Sequence, residues 1–304
     1  MVDAHDSKSC LARGESSSLS SGTMKSRVLV IVGPTASGKS DLAVRLAKKL
    51  NGEAISADSR QVYKGLNVGT GKITEREMQG IPHYLLSIAE PKEHFTVSEW
   101  KLMAEKAIEF IQNRGKLPIV VGGTGFYIDA LRMNLPEVPP NPSLRKKLGK
   151  LSVAELQKML GKHKIPDMKN KVRLIRALEI VDALGHIPKV KMVNKYNFVF
   201  VGIKPENLDE KILGRLVKRL PGIVREAKKL STKRAFELGL EYRYASLYLQ
   251  KKLNKKEFID KLYTAIRQYS RRQMTWFKKN KQITWYPDAE SAYAATPKLL
   301  APKR

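Results

Sequence analysis

Cysteine is almost absent from this 304-residue chain: Cys10 is the only one, which excludes an internal disulfide framework and any zinc cluster built on thiolates. Long apolar runs are missing too. No stretch approaches the roughly 20 residues of a membrane-spanning helix, and the Ser-rich residues 1 to 23 contain no apolar core for a signal peptide. A soluble protein of a reducing, cytoplasmic compartment is expected, with residues 1–24 a disordered tail. Acidic residues are scarce: 29 Asp plus Glu stand against 57 Lys plus Arg, a formal charge of +28. Such an excess favours a polyanionic partner, because phosphate contacts release condensed counterions. A generally basic, solvated surface is the plain alternative.

What is present is a strand, turn and helix in "VLVIVGPTASGKSDLAVRLAKKL", residues 28 to 50. Val28 to Val32 form a continuous apolar run of the kind buried on both faces of a parallel sheet. Leu42, Ala43, Leu46, Ala47 and Leu50 keep helical spacing, and Asn51-Gly52 supplies a stop. "EAISADSRQVY" predicts a second strand ending near Asp58. Thr96 and Glu99 make a capping box ahead of a helix that closes at Arg114-Gly115. "LPIVVGGTG" predicts a third strand running into glycines. Strands alternating with helices imply an α/β fold with a parallel sheet and ligands at the strands' carboxyl ends. The four prolines of "LPEVPPNP", residues 135 to 142, mark a boundary. Residues 25–134 are therefore read as the first part of the core, 135–192 as a basic helical insertion, and 193–304 as the second part with basic C-terminal helices. "YNFVFVGI" and "QITWY" are its strand candidates.

The turn matches G-x-x-x-x-G-K-[ST] at every fixed position, from Gly33 through Pro34, Thr35, Ala36, Ser37, Gly38 and Lys39 to Ser40. This is a phosphate-binding loop: backbone amides and the positive end of the helix surround a diphosphate, Lys39 neutralises a terminal phosphate, and the Ser40 hydroxyl ligates Mg²⁺. A nucleotide-hydrolysing enzyme or kinase usually adds an acid at the end of another buried strand. Neither "LPIVVGG" nor "FVFVGIKP" ends in one. The nearest is Asp58, which with Ser59 and Gln61 faces the same crevice and can serve as a general base, a metal ligand or simply a turn cap. "GGTGFY", Gly122 to Tyr127, is a second glycine-rich strand exit that offers the Thr124 hydroxyl.

Taken together, "GPTASGKSDLA", "ISADSRQVYKGLNVGTGK", "IPHYLLSI", "LPIVVGGTGFYIDAL", "RLIRALEIVDALG", "GLEYRYASLYLQ" and "RQYSRRQMTWF" resemble the tRNA dimethylallyltransferases, also called tRNA isopentenyltransferases, in order and over nearly all of residues 26 to 286. The resemblance implies a P-loop NTPase-like core with a small helical insertion that grips the anticodon arm of tRNA. It implies transfer of a dimethylallyl group from dimethylallyl diphosphate to N6 of adenosine 37, in tRNAs reading codons that begin with U. The loop would then hold an isoprenoid diphosphate with Mg²⁺. Asp58 matches the family's base, and Thr124 is a candidate contact to the base or donor phosphate, so that Asp58, Thr124 and Lys39 form the catalytic set. Arg243 matches a basic position expected near the donor diphosphate. The family's tRNA-contacting segments correspond to Asp58, Ser59, Arg60 and Gln61, to Val172, Arg173, Leu174, Ile175 and Arg176, and to Arg271, Arg272, Gln273, Met274, Thr275 and Trp276. Within these, Leu174 and Ile175 read as core by pattern, Arg173 and Arg176 as outward-reaching, and Trp276 as either core or a stacking platform. The zinc-finger extension of eukaryotic relatives is absent, which points to the bacterial type, and a monomer is the family's default. Glu241-Tyr242 replaces a more usual glycine-tyrosine pair. The competing readings are a small-molecule or nucleotide kinase and a non-catalytic RNA-binding protein switched by nucleotide.

Overall fold

The computed structural model describes residues 27–193 and 195–301; the expected N-terminal tail lies outside them. Six strands, β1 (Arg27–Val32), β2 (Gly52–Ser56), β3 (His83–Tyr84), β4 (Leu117–Gly122), β5 (Asn197–Ile203) and β6 (Ile283–Tyr286), form one sheet in the order β3-β2-β4-β1-β5-β6. Every pairing is parallel, as the unbroken apolar strands predict. Val32 pairs with Gly122 on one side and Gly202 on the other, so three central strands end level and open onto the same side.

Helices cover both faces. In chain order they are α1 (Lys39–Leu50), α2 (Glu75–Met78), α3 (Val97–Asn113), α4 (Gly125–Ala130), α5 (Pro142–Leu148), α6 (Val153–Leu160), α7 (Lys171–Leu184), α8 (Leu208–Ala227), α9 (Thr232–Leu238), α10 (Leu240–Leu249), α11 (Lys255–Phe277) and α12 (Ala289–Leu300). The period-2 geometry of β1 divides its side chains between two cores. Val28, Val30 and Val32 pack with Trp100, Ile108, Leu216, Phe258 and Leu262. Leu29 and Ile31 pack with Leu42, Leu46 and Ala292 on the opposite face. The capping box at Thr96 forms as expected. Asn51 ends α1 in the left-handed conformation with φ 49°.

Residues 132–193 form a separate compact unit. Its ends are laced by a bridge between Met133 and Met192 and by the Val193 amide donating to the Arg132 carbonyl at 2.6 Å. The unit thus spans three residues more at its start and one more at its end than the expected 135–192. Leu148, Leu156, Leu160, Leu174, Ala177 and Leu178 make its own core. Glu179, buried beneath them, accepts from both Arg145 Nε and Nη2 at 2.7 and 2.8 Å, the paired arrangement a buried carboxylate requires.

Candidate active site

The phosphate loop is built for close backbone approach. Gly38 sits at φ 90° at the start of α1, and no side-chain hydrogen bond closes the first turn, leaving the helix's leading amides and its positive end to an anion. Lys39 arches over the loop, its Nζ donating to the Pro34 carbonyl at 2.5 Å and to Ser37 Oγ at 3.4 Å. Burial pulls its ammonium down to about 7; Asp58 opposes that fall and Arg215 adds to it. Thr35 through Ser40 all line a crevice of about 1100 Å³, and Gly33 and Pro34 do not.

The neighbouring strand exits are locked together. A Cβ on Gly122 would lie 2.1 Å from the Ala57 carbonyl oxygen, so glycine is the residue that lets β4 end against the turn after β2. Across this seam the Ala57 amide donates to Val121 at 2.8 Å and the Thr124 amide to Ala57 at 3.1 Å. Asp58 thereby reaches the crevice that the phosphate loop lines. Its Oδ1 accepts from the Arg60 and Gln61 amides at 2.8 and 3.3 Å. The turn-cap and catalytic readings of Asp58 are thus compatible, since the cap occupies Oδ1 and the residue still lines the crevice.

Thr124 is placed differently from its expected role as a ligand contact. Its Oγ1 accepts from the Ser59 amide at 3.0 Å and lies 3.4 Å from Ser59 Oγ, and it hydrogen-bonds Tyr269, whose phenol burial pushes up to about 12. It braces the Asp58 turn from outside the crevice lining. Gln61 is also a brace: its amide reaches the Gly71 carbonyl at 3.3 Å while its Oε1 accepts from Ser56 Oγ at 3.2 Å.

Four other expected contacts are held by the protein itself. Leu174 is 0 % exposed in the core of the 132–193 unit, and Ile175 packs beside it, because their spacing on α7 follows its apolar stripe. Gln273 is 6 % exposed and borders the crevice, with both ends of its amide bonded to backbone. Arg176 donates to the Val138 carbonyl at 2.7 Å and lies 3.4 Å from Glu179; it is tied inside its own unit. Val172 is 76 % exposed and Arg173 is open, 3.6 Å from Asp167. Arg271 and Thr275 are exposed, Met274 is half-buried, and Arg272 lines the crevice. Trp276 combines both readings: its Nε1 donates to Asp129 Oδ2 at 2.8 Å and its ring meets Phe126 edge-on, yet the residue stays partly exposed. Arg243 does not line the crevice. Its guanidinium stacks 5.5 Å from the Phe236 ring and donates to the Phe236 carbonyl, because on α10 the crevice side is taken by Leu240 and Glu241.

The cationic wall comes instead from α8. Lys211, Arg215, Lys218 and Arg219 share one helical face and line the crevice. Burial and neighbouring Arg219 pull the Arg215 guanidinium below its ordinary value, which marks a cation whose charge an incoming anion would relieve. Glu226, further along α8, is buried and receives the Asn67, Val68 and Gly69 amides at 2.9, 2.7 and 2.8 Å and the Tyr242 hydroxyl at 2.9 Å. Arg219 caps the carbonyls of Val68 and Gly69. The two charges therefore hold both faces of the loop before Lys72. The helical spacing of these residues was legible, but in so basic a chain nothing distinguishes them from a solvated face.

A phosphate loop, an uncapped helix terminus, a lysine with a lowered pKa and a carboxylate, all on one crevice at the carboxyl ends of a parallel sheet, define a phosphate-loop α/β enzyme. The family model for IPP transferase matches residues 61–280. The chain is 40 % identical over 286 residues to tRNA dimethylallyltransferase 2 of Treponema denticola, covering 86 % of this chain and 96 % of that one. It is 37 % identical over 285 residues to the tRNA dimethylallyltransferase of Anoxybacillus flavithermus, covering 86 % and 91 %. The full-length tRNA isopentenylpyrophosphate transferase of Bacillus halodurans superposes with a TM-score of 0.67 at 35 % identity, over 90 % of this chain and 97 % of that one. A eukaryotic dimethylallyltransferase acting on tRNA superposes at 0.76 and 27 % identity, over 91 % and 78 %. The chain belongs to the tRNA dimethylallyltransferase family, an enzyme family of prenyltransferases.

Proposed function

We propose that this chain transfers the dimethylallyl group of dimethylallyl diphosphate to N6 of adenosine 37 in tRNAs reading codons that begin with U, releasing diphosphate. The carrying observation is that the phosphate loop and Asp58 line one crevice. In the reaction the bond from carbon 1 to the diphosphate oxygen breaks and the bond from N6 to carbon 1 forms. Departure of the diphosphate is the step that needs help. The α1 amides, Lys39 and Arg215 stabilise the charge that grows on it. N6 is a weak nucleophile because its lone pair is shared with the ring, and it must lose a proton. Asp58 accepts that proton, its carboxylate already aimed by the Arg60 and Gln61 amides.

Among the described residues no cluster of three His, Cys, Asp or Glu could cage a metal. A hard Mg²⁺ ion nevertheless suits the site, because it keeps several waters and takes the rest of its shell from substrate phosphates and one or two protein oxygens. Ser40, exposed on the crevice, would supply such an oxygen. When bound, the ion neutralises leaving-group charge.

Adenosine 37 lies stacked in the anticodon loop, so the base must be turned out into the crevice. Arg272, Trp276 and the exposed residues of α7 offer cations and planar groups for the anticodon arm. Among the described residues no helix is long and apolar enough to cross a membrane, and the proposed setting is the cytoplasm, with a monomer as the working unit. The test is incubation with Mg²⁺, radiolabelled dimethylallyl diphosphate and unmodified tRNA, beside Asp58→Ala. Label in tRNA with wild type and scarcely with the variant supports the reading. ATP consumption without labelling replaces it with the kinase or nucleotide-switch reading.

A further inference from the structure

Among the described residues, Gln273 is the one buried amide that touches both halves of the reaction site. It lies on α11, far along the chain from the phosphate loop, and is 6 % exposed. Its Oε1 accepts from the Thr35 amide at 2.9 Å, inside the phosphate loop. Its Nε2 donates to the Gly123 carbonyl at 2.8 Å, on the exit of β4 next to Thr124. Space at Gly123 is reserved for this contact, since a Cβ there would come within 2.3 Å of Nε2. One turn before it on α11, Tyr269 holds Thr124; one turn after it, Trp276 packs over Gly125 and bonds Asp129. Positions 269, 273 and 276 thus form a single helical stripe laid across the loops that carry the leaving-group site and the base.

We infer that Gln273 is a positioning residue that fixes the phosphate loop relative to the exit of β4, and through Thr124 and Ser59 relative to Asp58. The amide is the chemical group this task needs: one end must accept from an N–H and the other donate to a C=O, and no other side chain of this length does both at neutral pH without having to hold a proton. Displacement-type transfers lose rate steeply when the reacting atoms are misplaced by about 1 Å. The bridge sets that separation from the crevice wall, its amide committed at both ends to backbone. This goes beyond the family reaction, but it rests on that reaction for its catalytic readout.

Gln273→Glu and Gln273→Met test it. At pH 8 the glutamate is ionised, loses the donor to Gly123 and sets a negative charge against that carbonyl and beside the phosphate loop. The expected result is a rise of about tenfold or more in the donor KM and a matching fall in kcat, as for a lost hydrogen bond compounded by a buried charge, with tRNA affinity by filter binding within about twofold of wild type. As pH falls, protonation restores both bonds, so the ratio of variant to wild-type kcat/KM recovers; burial places that recovery above the ordinary carboxylate range. A purely structural amide predicts no such pH-dependent rescue. Gln273→Met, which keeps length and packing, should show the donor defect at every pH. Binding of dimethylallyl diphosphate alone, read by its shift of thermal unfolding, needs neither tRNA nor turnover, so the bridge can fail separately from the proposed reaction. Loss of tRNA affinity with donor KM unchanged would overturn the inference, as would a pH-independent defect in Gln273→Glu or a wild-type donor response in Gln273→Met.

Discussion

The lowered pKa of Lys39 makes donor binding pH-dependent in a direction that can be worked out. Burial takes the ammonium from its ordinary 10.5 to about 7, against the pull of Asp58. A diphosphate on the loop restores the charged form, because an opposite charge within a few ångströms raises a lysine's pKa. Above pH 7 the unliganded site has lost its proton and must regain it on binding. The protonated fraction falls from about one half at pH 7 to about one hundredth at pH 9, so donor affinity falls about 50-fold over that range. Calorimetric titration at pH 8, in buffers with different ionisation enthalpies, should report uptake of about 0.9 proton per donor. Lys72 is a second lowered lysine on the crevice, at about 8, but its Nζ is held by Tyr63 O and Ser87 Oγ at 2.7 and 2.6 Å. Lys39→Arg separates the two, because an arginine stays charged throughout and should abolish the uptake. Binding enthalpy independent of buffer, with flat affinity from pH 7 to pH 9, would refute the argument.

Asp58→Asn should keep the turn, since an amide oxygen can still accept from Arg60 and Gln61, and should change the melting temperature little while single-turnover transfer slows by about 10²- to 10⁴-fold. Arg243→Ala should leave the donor KM within about twofold, because the guanidinium packs on Phe236 away from the crevice; steady-state titration of donor checks it. Glu53 is 0 % exposed and binds Lys116 at 2.7 Å, Tyr84 at 2.8 Å and Arg114. Glu53→Ala strands that charge cluster and should cost about 3 kcal/mol in urea unfolding. Burial favours the neutral form of Glu53, but its bonds to Lys116 and Tyr84 and the Arg114 charge win and hold the carboxyl below its ordinary value. Its stabilisation is therefore complete above the unfolded-state value and lost as pH falls through the lowered one, so wild type, but not Glu53→Ala, should lose this increment in acid.

The phosphate loop was legible because its residue types are imposed locally: glycine where φ is positive or backbone must approach, and lysine where charge must be met. β1, β4 and β5 were legible for a related reason, as buried parallel strands cannot alternate. β3 was not, since two residues at a sheet edge carry no periodic signal. α8 continues through Pro221 because buried Ile212, Leu216 and Ile223 anchor it on both sides, and its basic face reads in sequence as solvated. The crevice wall depended on that helix, so Arg215 and Arg219 went unassigned. Gln273 and Glu226 illustrate a different limit. A polar residue on a helix reads as solvated until tertiary structure brings backbone amides and carbonyls to it, and the backbone partners here lie 150 or more residues away in sequence. Arg243 failed for a rotational reason: it shares α10 with Glu241 but points off the crevice side.

The most direct test of the account is the product itself. Unmodified tRNA with adenosine at position 37 is treated with wild-type protein, Mg²⁺ and dimethylallyl diphosphate, then digested to nucleosides and oligonucleotides for mass spectrometry. One added dimethylallyl group per tRNA is expected, on N6 of the adenosine next to the anticodon, and it should be lost with Asp58→Asn. An unmodified adenosine 37, or an added group on phosphate, sugar or another base, would contradict it.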